Sequence, residues 1–567
     1  MPTVAQTLQE RLRDALAALE LTSDDPVQVV PTADPRNGDY QASIAMVLAK
    51  ARRENPRTLA GRIAEKINLA GISGPAEVAG PGFINFRLDP EYVAQRLLAL
   101  SADSRLGVEK DPTSKTLIIE FSSPNIAKPM HVGHIRSSIL GDAITRVARF
   151  LGHRVITDNH LGDWGTQFGK VIYAWKHFRD NKALETDPMA ELVRLYREAD
   201  LRSKQDFAVL EQCRLELVKL QQGDPENRAI WGQAVALSLR EFASVYKLLG
   251  VEFDEQLGES AYDAELPSTV ERLLAKGIAE ISDGAAVIFD NEIAETPFMI
   301  RKSDGGFGYA STDIATLEYR IKRWNPDGIW YVVGAPQQLH FRQLFSVARR
   351  LGYRVDLEHI AFGSILGEDR KLMRTRSGES VPLRELLEEA IQRAGELVRE
   401  KNPALTDTES GEIAKTVGLG AVKYAELSQH RLTDYVFSWS KMLSFQGNTA
   451  PYLQNAYVRS RAIFRRLDGP FQPPSRLVLA DPAEQTLGKE ILRFGEVVPA
   501  VLDGFKPNVL ASFLYELAAK YHVFYERCPV LTAEGETRTS RLLLCDLFSQ
   551  TIKTGLMLLG IEVPERM

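Results

Sequence analysis

Apolar side chains recur at helical spacing over residues 5 to 20 and again over 41 to 70, and PGFINFRL at 81 to 88 alternates apolar and polar positions as a half-buried strand does. These patterns predict a small α+β unit over residues 1 to 110, ending before DPTSK. The rhythm then changes. TLIIEF at 116 to 121 is a short apolar run bounded by polar residues, the pattern of a buried strand. After a loop, Ile135, Ile139, Ala143, Ile144, Val147 and Leu151 share one face of a helix over about 133 to 151. HRVITD, the turn segment NHLGDWG and a further helical stretch follow, giving strand, helix, strand, helix. IWYVVG at 329 to 334 and the helix-like QLHFRQLFSVARRLG return to the same pattern after a charged helical region at about 183 to 250. The expectation is one α/β core over 111 to 385, its sheet carrying a helical insertion. Residues 386 to 567 are expected to form a separate helical domain, interrupted by the Pro-rich GPFQPPSR at 469 to 476.

Length agrees with this division, since 567 residues exceed what one hydrophobic core organises. A chain that is 44% apolar and 25% charged, with 24 Phe and 17 Tyr, has ample core material. The net charge of −6 leaves nucleic-acid binding to be decided by local basic surface. Cys213, Cys528 and Cys545 are too scattered for a zinc half-site and too few for a disulfide framework, so no structural zinc and a reducing, cytoplasmic setting are expected. No apolar run approaches the ~20 residues of a bilayer span, and the acidic, amphipathic start does not resemble a secretory signal.

The densest chemistry lies in EFSSPNIAKPMHVGHIRSSILGD, residues 120 to 142. It follows the carboxyl end of a predicted strand and precedes a helix whose free N–H groups favour phosphate. His131 and His134 can donate to charge developing on a phosphate, Gly133 permits close backbone approach, and Lys128 adds a cation. Two alternatives stay open at this level: a metal pair, which needs a distant third ligand, and ordinary helix-start residues. A second feature is YVRSRAIFRR at 457 to 466, in which Arg459, Arg461, Arg465 and Arg466 occur with no acid among them, beside Tyr452 and Tyr457. It reads as an RNA-contacting helix or as a solvated helix face.

The first cluster resembles the signature of the class I aminoacyl-tRNA synthetases, with His131, Val132, Gly133 and His134 matching the HIGH tetrapeptide, and SPNIAKPMHVGHIRS resembles the arginyl-tRNA synthetases in particular. The resemblance continues through NHLGDWGTQFG, GYASTDIA, the region of Gln337 and His340, NTAPYLQNAY and LMLLGIEVPERM, and so spans the chain. It implies a Rossmann-type catalytic core and a C-terminal helical-bundle domain for the anticodon. The implied reaction activates L-arginine with ATP and Mg2+ to arginyl-adenylate and pyrophosphate, with tRNA(Arg) bound, then transfers arginine to the 2′-OH of the terminal adenosine. A monomer is implied. His131, Gly133, His134 and Met373 would contact ATP; Asn125, Asn159, Glu259, Tyr309, Asp313 and Gln337 would hold arginine. Two carboxylates suit a guanidinium's rigid fork of donors, although Asp313 also reads as a helix cap and Glu259 as a loop carboxylate. The second class I signature, KMSKS, is degenerate here: in EDRKLMRTRSGESV at 368 to 381, Met373 is kept but Arg374, Thr375 and Arg376 replace its last three residues. Lys128, Lys371, Arg374 and Arg376 are therefore all candidates to face the leaving pyrophosphate. Phe83 and Asn85 match positions implied to meet the tRNA elbow, and Tyr452, Tyr457, Arg459 and Met567 lie in the part implied to meet the anticodon side.

Overall fold

A computed structural model describes residues 1–22, 26–374 and 380–567. Contacts divide the chain into two compact units, residues 1–110 with 445–557 and 562–567, and residues 111–444 with 558–561.

In the first unit, strands β1 (Val29–Pro31), β2 (Tyr40–Ala42), β3 (Glu77–Ala79) and β4 (Phe83–Phe86) form an antiparallel sheet in the order β1-β2-β4-β3. The helix Val4–Ala18 begins on a capping box in which Thr3 and Gln6 satisfy each other's backbone N–H groups. The apolar period seen over 41 to 70 is carried by two helices, Ile44–Arg52 and Pro56–Lys66. Asn55 caps the second, and Pro56, which has no N–H to donate, sets its first turn. Helices from the far end of the chain complete this unit. Lys489 Nζ lies 2.9 Å from both carboxylate oxygens of Asp39, and Glu496 Oε1 accepts from Ala5 N and Tyr40 Oη at 3.0 Å. A Cβ at Gly495 would lie 2.6 Å from Gly107 O, so only glycine allows that backbone approach.

The second unit is built on a parallel sheet. Its strands are β5 (Thr116–Phe121) and β6 (Arg154–Asp158), then, beyond a separate antiparallel sheet of β7 (Glu280–Ser282), β8 (Ala285–Asp290) and β9 (Ala294–Arg301), β10 (Gly328–Val332) and β11 (Asp356–His359). The order β11-β10-β5-β6 puts β5 at an interior position, with Ile118 in register with Ile156 and Ile329. These side chains join Ile314, Leu317, Leu344 and Val347 in one buried core. This is the α/β arrangement expected from the strand and helix pattern, and it is Rossmann-like, as the resemblance implies. The helical insertion comprises Asn181–Thr186, Pro188–Gln205, Phe207–Gln221 and Pro225–Leu249, each capped by an aspartate: Asp180, Asp187, Asp206 and Asp224.

Residues 386 to 444 group with this second unit, so contacts divide the chain after Ser444 where the sequence pattern places the boundary at 385. The helices Leu383–Lys401 and Asp407–Leu427 are tied inward by charge: Arg384 Nε to Glu241 at 2.8 Å, and buried Arg136 Nε to Glu426 at 3.0 Å. Helical periodicity reports which face is buried and not which neighbour buries it, so this assignment was not legible from the pattern.

Candidate active site

The loop from β5 to the helix Val132–Phe150 carries three non-glycine residues in the left-handed region, Ser122 (φ 74°), Ser123 (φ 49°) and Ala127 (φ 60°). Such conformations cost about 1–3 kcal/mol each and persist only where the surroundings enforce them. The loop delivers His131 to the N-cap position. His131 Nδ1 accepts from Gly133 N at 3.1 Å, and His134 Nδ1 accepts from His131 N at 3.1 Å, a capping box made of two imidazoles whose centroids are 4.0 Å apart. Because both Nδ1 atoms accept, each neutral ring must carry its proton on Nε2. Burial, with His131 adding to it, holds His134 down at about 3, and burial together with Lys128 lowers His131. The pair therefore offers two neutral N–H donors. A Cβ at Gly133 would sit 2.8 Å from His131 Cε1, which explains the glycine sterically. Lys128 Nζ lies 4.9 Å from the centre of the Tyr196 ring on the insertion.

A second group of polar residues assembles at the end of β6. The segment 255–259 runs parallel to 158–161, with bridges Asp158 to Glu255 and Leu161 to Gly258. Gly258 permits contact with Asp163, whose carboxylate would otherwise meet a Cβ at 2.2 Å. This brings Glu259 beside His160 and Asp163. Burial pushes the Glu259 carboxyl up to about 7, with Asp313 and Asp163 adding to the rise and His160 opposing it. Among the described residues, no lysine, arginine or histidine forms an ion pair with it. Asp313 does have a partner: His340 Nε2 lies 2.5 Å from its Oδ2. Tyr309, at the first turn of the helix Tyr309–Trp324, is 68% exposed, and Gln337 is exposed at the start of the next helix. Asn159 is fully buried; its Oδ1 accepts from Ser123 N and its Nδ2 donates to Tyr246 Oη, both at 3.1 Å. Asn125 is exposed and pairs with Gly162, where a Cβ would lie 2.1 Å from Asn125 Oδ1.

Sequence patterning missed what lies beneath. Arg320 is 0% exposed and bridges Glu120 at 2.6 Å and Asp158 at 2.7 Å, joining β5, β6 and the helix Tyr309–Trp324 under the site. The one available signal was an acid at the carboxyl end of each of two buried strands, which is costly without a buried cation. His160, Asp163 and His340 were likewise not singled out as site residues, because their importance depends on neighbours far away in sequence.

The degenerate second signature leaves the strand β12 (Ile365–Leu366), which pairs in parallel with β13 (Tyr435–Val436). Met373 N donates to Ile365 O at 3.2 Å, Gly367 N to Lys371 O at 2.8 Å, and Arg374 bridges to Ser380. Lys371 and Arg374 are exposed. Arg376 lies outside the described residues.

In the first unit, Phe83 is half-buried on β4, whereas Asn85 is 3% exposed. Tyr452 packs against Tyr515 and His522, with centroids 5.6 and 5.1 Å away, and Arg459 reaches over Tyr525 at 4.7 Å. Tyr457 is 4% exposed and belongs to the core. Two of the four arginines are engaged internally: Arg461 pairs with Asp546 at 3.0 Å, and Arg465 donates to Glu565 O at 3.1 Å. Met567 is half-buried. Among the described residues no helix is long and apolar enough to cross a membrane, and no group of three or more His, Cys, Asp or Glu side chains is arranged to hold a metal ion.

Three family models match the chain. The model for tRNA synthetases class I (R), catalytic domain, covers residues 96–439; the arginyl tRNA synthetase N terminal domain covers 6–88; and the DALR anticodon binding domain covers 453–567. An arginine–tRNA ligase of Chromobacterium violaceum is 44% identical over 577 residues, and one of Laribacter hongkongensis is 43% identical over 575, each match covering 100% of both chains. Among solved structures, the arginyl-tRNA synthetase of Plasmodium falciparum superposes with a TM-score of 0.86 at 28% identity, covering 100% of both chains. That of Thermus thermophilus gives 0.85 at 25% identity, covering 99% of this chain and 100% of the other.

Proposed function

The chain belongs to the arginyl-tRNA synthetases of class I and is an ATP-dependent arginine–tRNA ligase, and from that premise we propose how its residues divide the work. In the first step an arginine carboxylate oxygen attacks the α-phosphorus of ATP; a bond forms there and the bond to the bridging oxygen breaks, releasing pyrophosphate. The neutral Nε2–H groups of His131 and His134 donate to the phosphate oxygens as charge builds on them, which costs no reorganisation because their backbone contacts already fix the rings. Lys128, with Lys371, Arg374 or Arg376, neutralises the departing pyrophosphate.

Glu259 and Asp313 receive the guanidinium. The observation carrying this assignment is a desolvated carboxyl, Glu259, pushed up to about 7 by burial with the nearby Asp313 charge adding to the rise, and with no lysine or arginine paired to it among the described residues. A buried carboxyl of this kind is costly to ionise alone, and a ligand bearing a delocalised cation relieves that cost. In the second step the 2′-OH of the terminal adenosine of tRNA(Arg) attacks the adenylate carbonyl carbon and AMP leaves. Tyr452 and Arg459 serve the anticodon side, Phe83 the elbow, and bound tRNA is required for the first step.

Arginine-dependent ATP–pyrophosphate exchange with and without tRNA(Arg) tests this scheme. Exchange is expected only when arginine and tRNA are both present, and transfer is expected to a tRNA ending in 3′-deoxyadenosine but not in 2′-deoxyadenosine. Equal exchange without tRNA, or the reverse preference for the terminal hydroxyl, would refute the corresponding step.

A further inference from the structure

The three strained residues of the first signature loop share a feature: each backbone N–H donates to a side chain from another element, Ser123 N dividing its bond with Phe121 O at 3.1 Å. Ser122 N donates to Ser137 Oγ at 2.8 Å, Ser123 N to Asn159 Oδ1 at 3.1 Å, and Ala127 N to Ser238 Oγ at 3.0 Å. The loop is therefore held from outside, by the helix that follows it, by the end of β6 and by the insertion helix Pro225–Leu249.

A line of side chains connects these anchors. Asn159 Nδ2 lies 3.1 Å from Tyr246 Oη, Tyr246 Oη lies 2.8 Å from Ser122 Oγ, and Ser138 Oγ lies 2.9 Å from both Ser122 Oγ and His134 O. An amide N–H can only donate and a carbonyl can only accept, and each hydroxyl has one proton. Asn159 Nδ2 donates to Tyr246 Oη, Ser138 Oγ is the donor toward both Ser122 Oγ and the His134 carbonyl and shares its one proton between them, and the bond between Tyr246 and Ser122 can run either way. Burial holds the Tyr246 phenol up at about 12, so its proton stays in place.

We infer that Tyr246, a residue of the insertion, is a positioning residue for adenylate formation: its hydroxyl orients the Asn159 amide and, through Ser122 and Ser138, joins the strained loop to the helical turn bearing His134. This rests on the proposed contact of His131 and His134 with the phosphates. Losing the hydroxyl leaves the Asn159 Nδ2 donor without its partner and removes one of the two side-chain contacts of Ser122 Oγ, which loosens a loop that does not adopt this conformation by itself.

Tyr246→Phe keeps the ring, which packs edge-on against Phe253 at 5.0 Å, and removes only the hydroxyl. Single-turnover rates, normalised to titrated active sites, are expected to show adenylate formation slowed about tenfold to a hundredfold, with transfer from preformed arginyl-adenylate and tRNA affinity within about twofold. Ser122→Ala should give a similar loss, and the double variant should lose little more than either, as members of one chain do. A purely structural role would lower the active fraction and leave both steps of the active molecules unchanged. Activation within about twofold of the parent in Tyr246→Phe, equal losses in both steps, or additive losses in the double variant would overturn the inference. If Tyr246→Phe does not yield folded protein, Ser138→Ala decides the question by the same ratio of steps. His134→Ala measured in parallel separates the two levels: normal activation there would remove the proposed histidine role, whereas slowed activation there with normal rates in Tyr246→Phe would remove only the role of Tyr246.

Discussion

Arginine affinity should carry a proton signature that belongs to Glu259. Its carboxyl is pushed up to about 7 by burial, with Asp313 and Asp163 adding to the rise, so near neutrality a large fraction is protonated before ligand arrives. A guanidinium prefers the ionised form, and binding must expel that proton. With a free-protein value of about 7, the apparent dissociation constant scales as one plus ten to the power of seven minus pH. It should therefore tighten about tenfold between pH 6 and 8 and level off above, with roughly half a proton released per arginine bound at pH 7. Titration calorimetry in two buffers of different ionisation heat, repeated across that range, measures both quantities. Glu259→Gln should bind more weakly, without the proton release. Affinity independent of pH, or proton release that survives in the glutamine variant, would refute the assignment. Without ligand the sign reverses: a folded-state value raised above the usual 4.5 means that this group's contribution to stability falls as pH rises from about 4.5 through 7.

Three further outcomes follow from the geometry. Lys128→Ala and Lys128→Met should each slow adenylate formation about a hundredfold and slow transfer much less, because no pyrophosphate leaves in the second step; single-turnover measurement decides, and near-normal activation in the methionine variant would move the role to Lys371, Arg374 or Arg376. Gly133→Ala places a Cβ 2.8 Å from the His131 ring, so activation should fall about tenfold or more with little change in melting temperature; unchanged activation would mean the ring need not hold its cap. Arg320→Met leaves Glu120 and Asp158 buried without their cation and should cost about 3–5 kcal/mol, read as a lower urea midpoint; an unchanged midpoint would show that the triad is dispensable.

Local chemistry was legible where neighbours in sequence are also neighbours in space. TLIIEF, the helix from about 133 and HRVITD appear as β5, Val132–Phe150 and β6, and the histidine pair caps that helix. The antiparallel sheet of β7, β8 and β9 was not anticipated, since the exposed Ile281 and Met299 blur the alternation that marks a half-buried strand. Asn85 and Tyr457 show the limit for exposure: a polar residue in a strand and an aromatic in a basic helix both suggest surface, yet both are core. The charged and hydrogen-bonding partners of Arg320, His340 and Tyr246 lie 27 to 200 residues away, and spacing along the chain carries no trace of such pairs.

The first unit joins residues 1–110 to 445–557, with Lys489 on Asp39 across 450 positions of sequence. During synthesis the ribosome must therefore release the small sheet long before its helical partner exists. At about 5–20 residues per second, that interval is roughly 20–90 s. For that time Asp39, Tyr40 and the face later covered by the helix Pro482–Leu492 stand in solvent. A stop codon near residue 445 would leave this face permanently bare, so a truncated product should be cleared quickly even though its catalytic sheet is complete.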